Sequence, residues 1–278
     1  MISVSTIEKK SIRGHYDLAT PFYRLLWGPH IHHGLWLNET LTPYQAQCQL
    51  TDTLADLIGV TAKDRLLDIG CGMGGSSIRL AKQRGCRCHG ITLSPVQKRW
   101  ATVSAMLKGL SGRVKFEAAD AEKIELMPES FDVLWSVECT EHLYDKANFF
   151  RKASQWLRPD GKLAIVVWFQ GKEPKSLGQQ QRVAELCQRF VCPSFATVDE
   201  YRSWLTTAGF HSISHHDWSQ HAARTWKICR ERVRKTGVEY LAKWISREQV
   251  DFIRGFDKLI DAFESGDMEY GALIAQKS

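Results

Sequence analysis

The sequence predicts an α/β protein with a Rossmann-like, seven-stranded, mostly parallel sheet and helices on both faces. Three observations support this fold class. From about residue 64, short β-rich segments alternate with longer segments of helical periodicity, as in parallel sheets whose strands are joined by helices. Five such β units follow one another before residue 170. The chain has 278 residues, 44% of them apolar, which is enough for a sizeable core.

Each element is assigned from its periodicity and its flanking residues. The predicted strands span residues 65–69, 86–92, 113–117, 131–137, 162–168, 210–218 and 270–275. The predicted helices span residues 75–84, 95–108, 147–157 and 198–208, with further helical stretches up to about residue 190 and over 219–266. Ser94 is the N-cap of the helix after the second strand, and Pro95 occupies its first position. The segment Pro159–Gly161 is interpreted as a turn leading into the fifth strand.

The chain divides into three regions by composition. Residues 1–60 form a helical, aromatic-rich segment that either packs on the sheet or closes over a ligand at the strand ends. Residues 61–170 form the ligand-binding Rossmann-like core. Residues 171–278 begin with a polar, turn-rich stretch and are expected to supply cap helices over a substrate, together with the remaining core strands.

Composition favours a cytoplasmic protein without a metal. No stretch approaches the roughly 20 apolar residues of a membrane-spanning helix, and the first residues lack the apolar segment of a signal peptide. The eight cysteines are scattered and are expected to be reduced. Cys86, Cys88 and His89 form one cluster that resembles metal ligands. No second Cys/His pair has zinc spacing, so we predict buried strand thiols there.

A basic segment lies at residues 224–235, where six basic residues accompany one acid in a chain of net charge +6. Such a segment could bind nucleic acid or an anionic membrane surface. The alternative is an amphipathic helix whose other face carries Trp226, Cys229 and Val233, at positions i, i+3 and i+7. We favour the amphipathic helix and expect no nucleic-acid partner, because basic helices are common in globular proteins. Peripheral membrane contact and the oligomeric state stay open.

A glycine-rich turn follows the first predicted strand. Gly70, Gly72 and Gly74 give the pattern Gly-x-Gly-x-Gly, which lets a ligand approach the backbone. Gly70, Gly72 and Gly75 also meet the spacing of dinucleotide-binding enzymes, so spacing alone does not separate the two ligand classes. Asp68 argues against a phosphate ligand, because a carboxylate repels an anion but pairs with an ammonium group.

These residues resemble, in order, the motif series of class I S-adenosylmethionine-dependent methyltransferases. The matching motifs cover about a hundred residues, at 66–75, 90–97, 119–121, 131–136 and 157–162. Four more segments extend the similarity toward the tocopherol methyltransferase-like group, at 15–17, 31–36, 217–220 and 268–274. Cyclopropane-fatty-acid synthases are more distant kin.

The resemblance implies S-adenosylmethionine as the cofactor and S-adenosylhomocysteine as its product. Asp68 and the backbone at Gly70 and Gly72 would hold the methionine end of the cofactor. Asp120 and Ala121 would flank the adenine, and Asp120 is placed to accept a hydrogen bond from its exocyclic amine. Four more residues are assigned to the cofactor by their place in the matching segments: Tyr16, His33, Gly34 and Val137.

The second strand ends differently from most class I enzymes. Those enzymes carry an acidic residue there for the ribose hydroxyls, whereas this chain has Thr92 and Leu93. In related groups with the sequence Thr-Leu-Ser, the Thr-Leu backbone and a glutamine four residues later bind the ribose. The resemblance therefore implies that Gln97 binds the ribose. The alternative is that Gln97 is a solvated helix residue.

Residues 138–142 follow the fourth strand and supply the candidate catalytic groups. Methyl transfer from a sulfonium needs an aligned acceptor, little water and often a base. His142 is the first candidate for the base, because an imidazole with a pKa of about 6.5 accepts a proton near neutrality. Glu141 or Glu138 would orient His142 or contact the acceptor. The alternative is that Glu141 and His142 only cap the next helix.

The predicted function is methyl transfer to carbon, oxygen or nitrogen of a lipophilic or aromatic small molecule of secondary metabolism. The resemblance favours C-methylation of a phenolic or isoprenoid compound, and the many aromatic side chains suit such an acceptor. One alternative is a cyclopropane synthase acting on lipids. Those enzymes carry a cysteine where this chain has Leu35 and Trp36 after its His-His-Gly sequence, which counts against them. The others are a nucleic-acid or protein methyltransferase and a noncatalytic binding module.

Overall fold

A large sheet with helices on both sides organises the computed structural model, which describes residues 1–172, 176–237 and 247–278. Its strands are β1 (Ile2–Ser3), β2 (Arg65–Ile69), β3 (Arg87–Thr92), β4 (Val114–Ala118), β5 (Phe131–Val137), β6 (Leu157–Gln170), β7 (Ser194–Phe195), β8 (Phe210–Asp217) and β9 (Met268–Lys277). Its helices are α1 (Lys9–Leu26), α2 (Pro43–Ile58), α3 (Gly75–Gln83), α4 (Pro95–Leu107), α5 (Lys146–Trp156), α6 (Leu177–Arg189), α7 (Val198–Thr207), α8 (Ser219–Ala222), α9 (Arg224–Thr236) and α10 (Arg247–Glu264). A 3-10 helix spans Thr140–His142.

Seven strands pair in the order β4-β3-β2-β5-β6-β9-β8. Strands β2 to β6 pair in parallel, whereas β9 runs antiparallel to both of its neighbours, β6 and β8. The predicted seven-stranded, mostly parallel, Rossmann-like sheet is therefore confirmed. The chain moves outward from β2 to β4 and then returns to pair β5 with β2. Ligands of such sheets bind at the carboxyl ends of the strands where this reversal occurs.

Apolar side chains of the central strands are buried on both faces. Leu66 belongs to one buried cluster and its neighbour Leu67 to the other, because successive side chains of a strand point to opposite faces. Helices α2, α3 and α4 cover the face of Leu66, while α5 and α7 cover the face of Leu67. This double cover is what a parallel sheet requires.

Two local features differ from the sequence-based interpretation. Pro159–Gly161 do not form a separate turn but lie within β6. Asp160 has a φ of 61°, and the pairing with β5 shifts its register between Phe131 and Val133. Aspartate tolerates such a backbone conformation better than most residues, so the strand absorbs a turn-like sequence as an irregularity. The second feature is a short antiparallel pair between β1 and β7, which the sequence did not predict.

The N-terminal region consists mainly of α1 and α2, in line with its helical sequence. Parts of two predicted regions lie outside the described residues: 173–175 of the polar stretch, and 238–246 of the helical region 219–266. Of the helices that the structure describes, none combines the length and apolar composition needed to cross a membrane.

Candidate active site

Two cavities lie side by side at the carboxyl ends of the parallel strands. The first, which we call the glycine-loop cavity, is lined by the turn after β2 and by residues at the ends of β3, β4 and β5. The second, the aromatic cavity, lies among α1, α9, α10 and the segment after β5. Tyr16, Ile31, Glu138 and His142 line both cavities and form their shared wall. Ligands in the two cavities would therefore meet at these four side chains.

In the turn after β2, Gly70 and Gly72 expose their backbone to the glycine-loop cavity. Gly70 has a φ of 77°, and a Cβ at this position would lie 2.3 Å from the Cβ of Cys139. The N–H groups of Gly70 and Cys71 both donate to the carbonyl oxygen of Ile91 in β3. Because only glycine combines this φ with this clearance, the glycine at position 70 is a steric requirement of the turn.

Asp68 is a buried carboxyl in the wall of the glycine-loop cavity. It is 2% exposed, and the Ser77 hydroxyl donates to its Oδ2 over 2.5 Å. Burial raises the pKa of Asp68 to about 7, against the lowering effect of the Ser77 hydrogen bond. A bound ammonium group would supply the counter-charge and favour the ionised form.

Thr92 and Gln97 form a buried polar pair where β3 ends and α4 begins. The Thr92 hydroxyl donates to Oε1 of Gln97 over 2.7 Å, and the two residues are 3% and 4% exposed. The backbone N–H of Gln97 donates to the N-cap hydroxyl of Ser94 over 3.0 Å. Gln97 is thus a buried cavity residue, which excludes the solvated alternative. Its amide hydrogens are the donors left for a ligand.

Helix α1 contacts the strand ends through polar side chains. Lys9 Nζ lies 2.6 Å from Oδ1 of Asp120 and also contacts the Glu122 carboxylate. The Ser94 hydroxyl donates to the Asp17 carboxylate. The N-terminal segment is therefore attached to both the β3 and β4 ends of the glycine-loop cavity, a connection that the sequence did not specify.

The structure places most of the predicted cofactor residues around one cavity. Those lining the glycine-loop cavity are Tyr16, Asp68, Gly70, Gly72, Thr92, Leu93, Gln97, Asp120, Ala121 and Val137. His33 and Gly34 differ from the expectation, because neither lines it. Both Nδ1 and the backbone N–H of His33 contact Glu138, and the ring lines the aromatic cavity instead. The N–H of Gly34 donates to Oγ1 of Thr225 over 3.1 Å.

Rings make up much of the wall of the aromatic cavity. Its aromatic lining residues include Phe22, Tyr23, Trp27, Trp168, Phe190, Trp226, Phe252 and Phe256. Helix α9 contributes the predicted apolar face of Trp226, Cys229 and Val233. Away from the cavity, Lys227 and Arg230 form ion pairs with acidic residues of α10. The basic segment is therefore an amphipathic helix packed into the fold, as predicted.

His142 lies in the shared wall, and each of its ring nitrogens has a partner. Nδ1 is 3.0 Å from the carbonyl oxygen of Val191, so Nδ1 carries the hydrogen and donates. Nε2 then accepts from the Tyr16 hydroxyl over 2.8 Å. Burial lowers the pKa of His142 to about 4, so the ring is neutral at pH 7. The role of His142 as general base stays a prediction.

Glu141 lines the aromatic cavity and holds the 3-10 helix against β6. Its Oε1 accepts from the backbone N–H of Trp168 over 2.6 Å. Oε2 is buried without a hydrogen-bond partner among the residues that the structure describes. Burial raises the pKa of Glu141 to about 8, which favours the protonated carboxyl near neutral pH. Its hydrogen bond goes to β6, not to His142.

Glu138 contacts His33 instead of His142. Its φ of 52° is uncommon for a residue other than glycine. Oε1 accepts from Nδ1 of His33 over 2.8 Å, from the backbone N–H of His33 over 2.7 Å and from the Tyr270 hydroxyl over 2.6 Å. Burial acts to raise the pKa of Glu138, but the electrostatic interaction with His33 and the hydrogen bonds from His33 and Tyr270 outweigh it, and the pKa falls to about 2. The carboxylate is therefore ionised at neutral pH.

Tyr270, whose hydroxyl donates to Glu138, was not identified from the sequence. It lies in β9, 132 positions from Glu138, so no local spacing relates the two. Its presence in the matching segment 268–274 was the one available signal. The pairing of Tyr16 with His142, 126 positions apart, was equally invisible in the sequence.

The cysteine cluster of β3 is not arranged as a metal site. Cys86 and Cys88 are 0% and 4% exposed, with their sulfur atoms 3.7 Å apart. Across residues 1–172, 176–237 and 247–278, no three His, Cys, Asp or Glu side chains form a group suited to a metal ion.

Comparison with known proteins identifies a family and relatives that match most of the chain. Residues 4–266 match the family described as mycolic acid cyclopropane synthetase. The chain is 36% identical over 218 residues to the 27-O-demethylrifamycin SV methyltransferase of Amycolatopsis mediterranei, covering 78% of this chain and 79% of that protein. It is 29% identical over 290 residues to the chloroplastic tocopherol O-methyltransferase of Arabidopsis thaliana, covering 97% and 82%.

A solved structure of a cyclopropane synthase from Mycobacterium tuberculosis shares the fold. The TM-score is 0.86 at 22% identity, and the superposition covers 99% of this chain and 100% of that one.

Proposed function

The chain belongs to the mycolic acid cyclopropane synthetase family, and on that premise we propose how its two cavities divide the work of methyl transfer. The protein is an S-adenosylmethionine-dependent methyltransferase of lipophilic small molecules. We propose that the glycine-loop cavity holds the cofactor and that the aromatic cavity holds the acceptor. The observation that carries this proposal is the shared wall, because the two ligand spaces meet there.

The residues of the glycine-loop cavity fit S-adenosylmethionine. Asp68 offers a buried carboxylate to the amino group of the methionine end, where Gly70 leaves room beside the backbone. Gln97 offers amide hydrogens to the ribose, and Asp120 offers a carboxylate oxygen to the adenine amine. Gly72, Thr92, Leu93, Ala121 and Val137 complete this cavity. The bound cofactor supplies an electrophilic methyl group.

The shared wall would position the acceptor. Tyr16 and His142 hold each other by a hydrogen bond over 2.8 Å, which fixes both side chains where the cavities meet. A buried, aromatic surround keeps water from the reacting atoms and limits the orientations of a bound ring. Positioning of this kind supplies much of the rate of a reaction between two bound molecules.

We propose that the acceptor is an apolar molecule with an aromatic ring. Tryptophan and phenylalanine rings on several walls offer stacking and edge contacts to such a molecule. Because the apolar face of α9 lines this cavity and two of its cations are ion-paired, the basic segment does not support a nucleic-acid acceptor. The tocopherol relative is named an O-methyltransferase, which supports oxygen as a candidate acceptor atom in addition to the carbon that the family resemblance favours.

Cyclopropane formation on a lipid double bond is the second candidate, favoured by the family description and by the apolar lining of the aromatic cavity. Mass alone does not separate the two reactions, because each adds one carbon and two hydrogens. Isotopic labelling does, because a transferred methyl group keeps all three of its hydrogens, whereas a cyclopropane carbon keeps two.

The test is incubation of the protein with S-adenosylmethionine that carries a trideuterated methyl group and with a metabolite extract, followed by mass spectrometry. We expect an apolar aromatic product that retains three deuterium atoms. A product with two would establish the cyclopropane reaction. Failure of calorimetry to detect S-adenosylhomocysteine binding, together with no labelled product, would contradict the proposed function.

A further inference from the structure

A histidine in the wall of the aromatic cavity has a ring nitrogen without a partner among the described residues. His33 is 1% exposed, and its Nε2 has no hydrogen-bond partner within the described part of the chain. The ring lies 4.4 Å from that of Tyr270 and meets the edges of Trp168 and Trp226 at 5.2 and 5.1 Å between ring centroids. A buried polar atom without a partner costs free energy, so its retention in the wall of a cavity indicates a ligand contact.

Glu138 fixes which nitrogen of His33 carries the hydrogen. The carboxylate is an acceptor, and its Oε1 lies 2.8 Å from Nδ1, so Nδ1 holds the hydrogen and donates. In the neutral ring, Nε2 then carries the lone pair. The backbone N–H of His33 and the Tyr270 hydroxyl donate to the same oxygen, which holds the carboxylate in place. The backbone of Glu138, with a φ of 52°, is in a strained conformation of the kind found at functional sites.

We propose that His33 is the general base that takes the hydroxyl proton of the acceptor, that Glu138 is its positioning residue, and that the acceptor is consequently a phenol or an alcohol. This proposal rests on the proposed function, because it assumes that the acceptor occupies the aromatic cavity. Glu138 lies in the shared wall, so a group that reaches Nε2 of His33 lies close to the cofactor side.

The step balances without a further reactant. The hydroxyl oxygen of the acceptor forms a bond to the methyl carbon with its own electron pair, and its proton passes to Nε2 of His33. The bond between the methyl carbon and sulfur breaks, and its electrons stay on sulfur, giving S-adenosylhomocysteine. The imidazolium that results is stabilised by the Glu138 carboxylate and returns its proton to solvent after the product leaves.

Three other candidate groups of this cavity are less suited to the same step. Both nitrogens of His142 have partners, so it would accept a proton only after Tyr16 turned away. The raised pKa of Glu141, about 8, favours a carboxyl that already holds a proton. Burial raises the pKa of the Cys229 thiol to about 12, so this thiol is protonated as well.

The kinetic test compares variants of two His–Glu pairs. His33→Asn and Glu138→Gln alter the pair in the aromatic cavity. His89→Asn alters the pair that His89 forms with Glu117 over 3.3 Å on the sheet, outside both cavities. With the acceptor identified by labelling, we expect kcat to fall at least about 100-fold for His33→Asn and at least about 10-fold for Glu138→Gln. His89→Asn should stay within about twofold.

Binding measurements separate the possible outcomes. His33→Asn and His89→Asn should bind S-adenosylhomocysteine within about threefold of the wild type, which shows that they fold. Glu138 also lines the cofactor cavity, so circular dichroism checks the folding of Glu138→Gln. If the wild type transfers no label, the proposed function fails. If the wild type transfers label and His33→Asn retains more than a third of its kcat, the inference about His33 is wrong. If His142→Asn loses turnover and His33→Asn does not, His142 is the general base instead of His33.

A second measurement does not depend on turnover. Nitrogen-15 NMR of labelled histidine, in the complex with S-adenosylhomocysteine, reports which ring nitrogen of His33 carries the hydrogen; the signals are assigned by their loss in His33→Asn or His33→Gln. We expect a hydrogen on Nδ1 and none on Nε2 in the neutral ring, with this preference weakened in Glu138→Gln. A hydrogen on Nε2 in the wild type would overturn the proposal.

Discussion

The glycine-loop cavity and the aromatic cavity adjoin each other but are built in different ways. The first is formed mainly by turns at the ends of adjacent strands, between Asp68 and Leu143, and it carries several buried polar side chains. The second is formed by helices from both ends of the chain and is lined mostly by rings. If the two cavities hold the cofactor and the acceptor as we propose, cofactor recognition is local in sequence, whereas acceptor recognition depends on long-range packing. Each of the following predictions tests whether the two cavities act separately.

Gly70→Ala should have the largest effect and should act on the glycine-loop cavity. A Cβ there would lie 2.3 Å from Cys139, and the φ of 77° is unfavourable for alanine. We expect the free energy of unfolding to fall by about 2–4 kcal/mol and cofactor binding to weaken at least about 100-fold. Denaturant titration and calorimetry measure the two effects.

Gly112→Ala is the matched control for Gly70→Ala. No atom lies within 4 Å of its added Cβ, so both quantities should stay close to the wild type. Unchanged cofactor binding in Gly70→Ala would show that the turn does not hold the cofactor.

The pH dependence of cofactor binding should follow Asp68. Its pKa of about 7 in the free protein means that, below pH 7, a proton must leave before the carboxylate pairs with an ammonium group. The affinity for S-adenosylhomocysteine should therefore rise with pH and level off above 7, with about tenfold weaker binding per unit below 7. Calorimetry between pH 5.5 and 7.5 measures this slope. Asp68→Asn should remove it, whereas Asp56→Asn, at the surface, should not.

Val233→Trp should affect the aromatic cavity alone. The larger side chain on α9 would occupy acceptor space. We expect about a tenfold loss in kcat/KM for the acceptor, with the dissociation constant of the cofactor within about twofold. Val103→Trp is the control, because Val103 is 48% exposed on α4 and lines neither cavity. An equal loss of cofactor affinity in Val233→Trp would mean that the cavities do not act separately.

Lys9→Ala should have the smallest effect. Its ammonium group joins α1 to Asp120 and Glu122, and its side chain is 28% exposed. Partly exposed ion pairs contribute about 0.2–1 kcal/mol, so cofactor affinity should fall by no more than about fivefold. The neighbouring Lys10 is 82% exposed and pairs with Glu8, so Lys10→Ala should bind the cofactor like the wild type. Similar losses in both variants would indicate a general charge effect.

The same contrast explains how much the sequence could predict. The sheet was predictable because its strands are long enough to show a periodic pattern. The glycine-loop cavity was predictable because Asp68, Gly70 and Gln97 lie in consecutive local motifs. The β1–β7 pair has two residues per strand and leaves no period. The turn-forming sequence at Asp160 lies within β6 as an irregularity in the pairing with β5.

The position of His33 shows what local spacing omits. Its sequence context led to an assignment beside the cofactor, but its partner Glu138 is 105 positions away and turns it toward the other cavity. The cavity that the His33 ring lines depends on which strand end its loop contacts. The sequence of the loop does not determine that long-range contact. The contacts that form the aromatic cavity were unpredictable for the same reason, since α1, α9 and α10 meet only in the folded chain.

Helix α1 contributes side chains to both cavities. Its Tyr16 separates the cavities, while its Lys9 and Asp17 attach it to the strand ends on the cofactor side. Displacing this helix would uncover both products at once, so we expect them to leave in one kinetic phase. The turnover rate would then depend on how often this helix is displaced, and a solvent of higher viscosity would slow the release of both products equally.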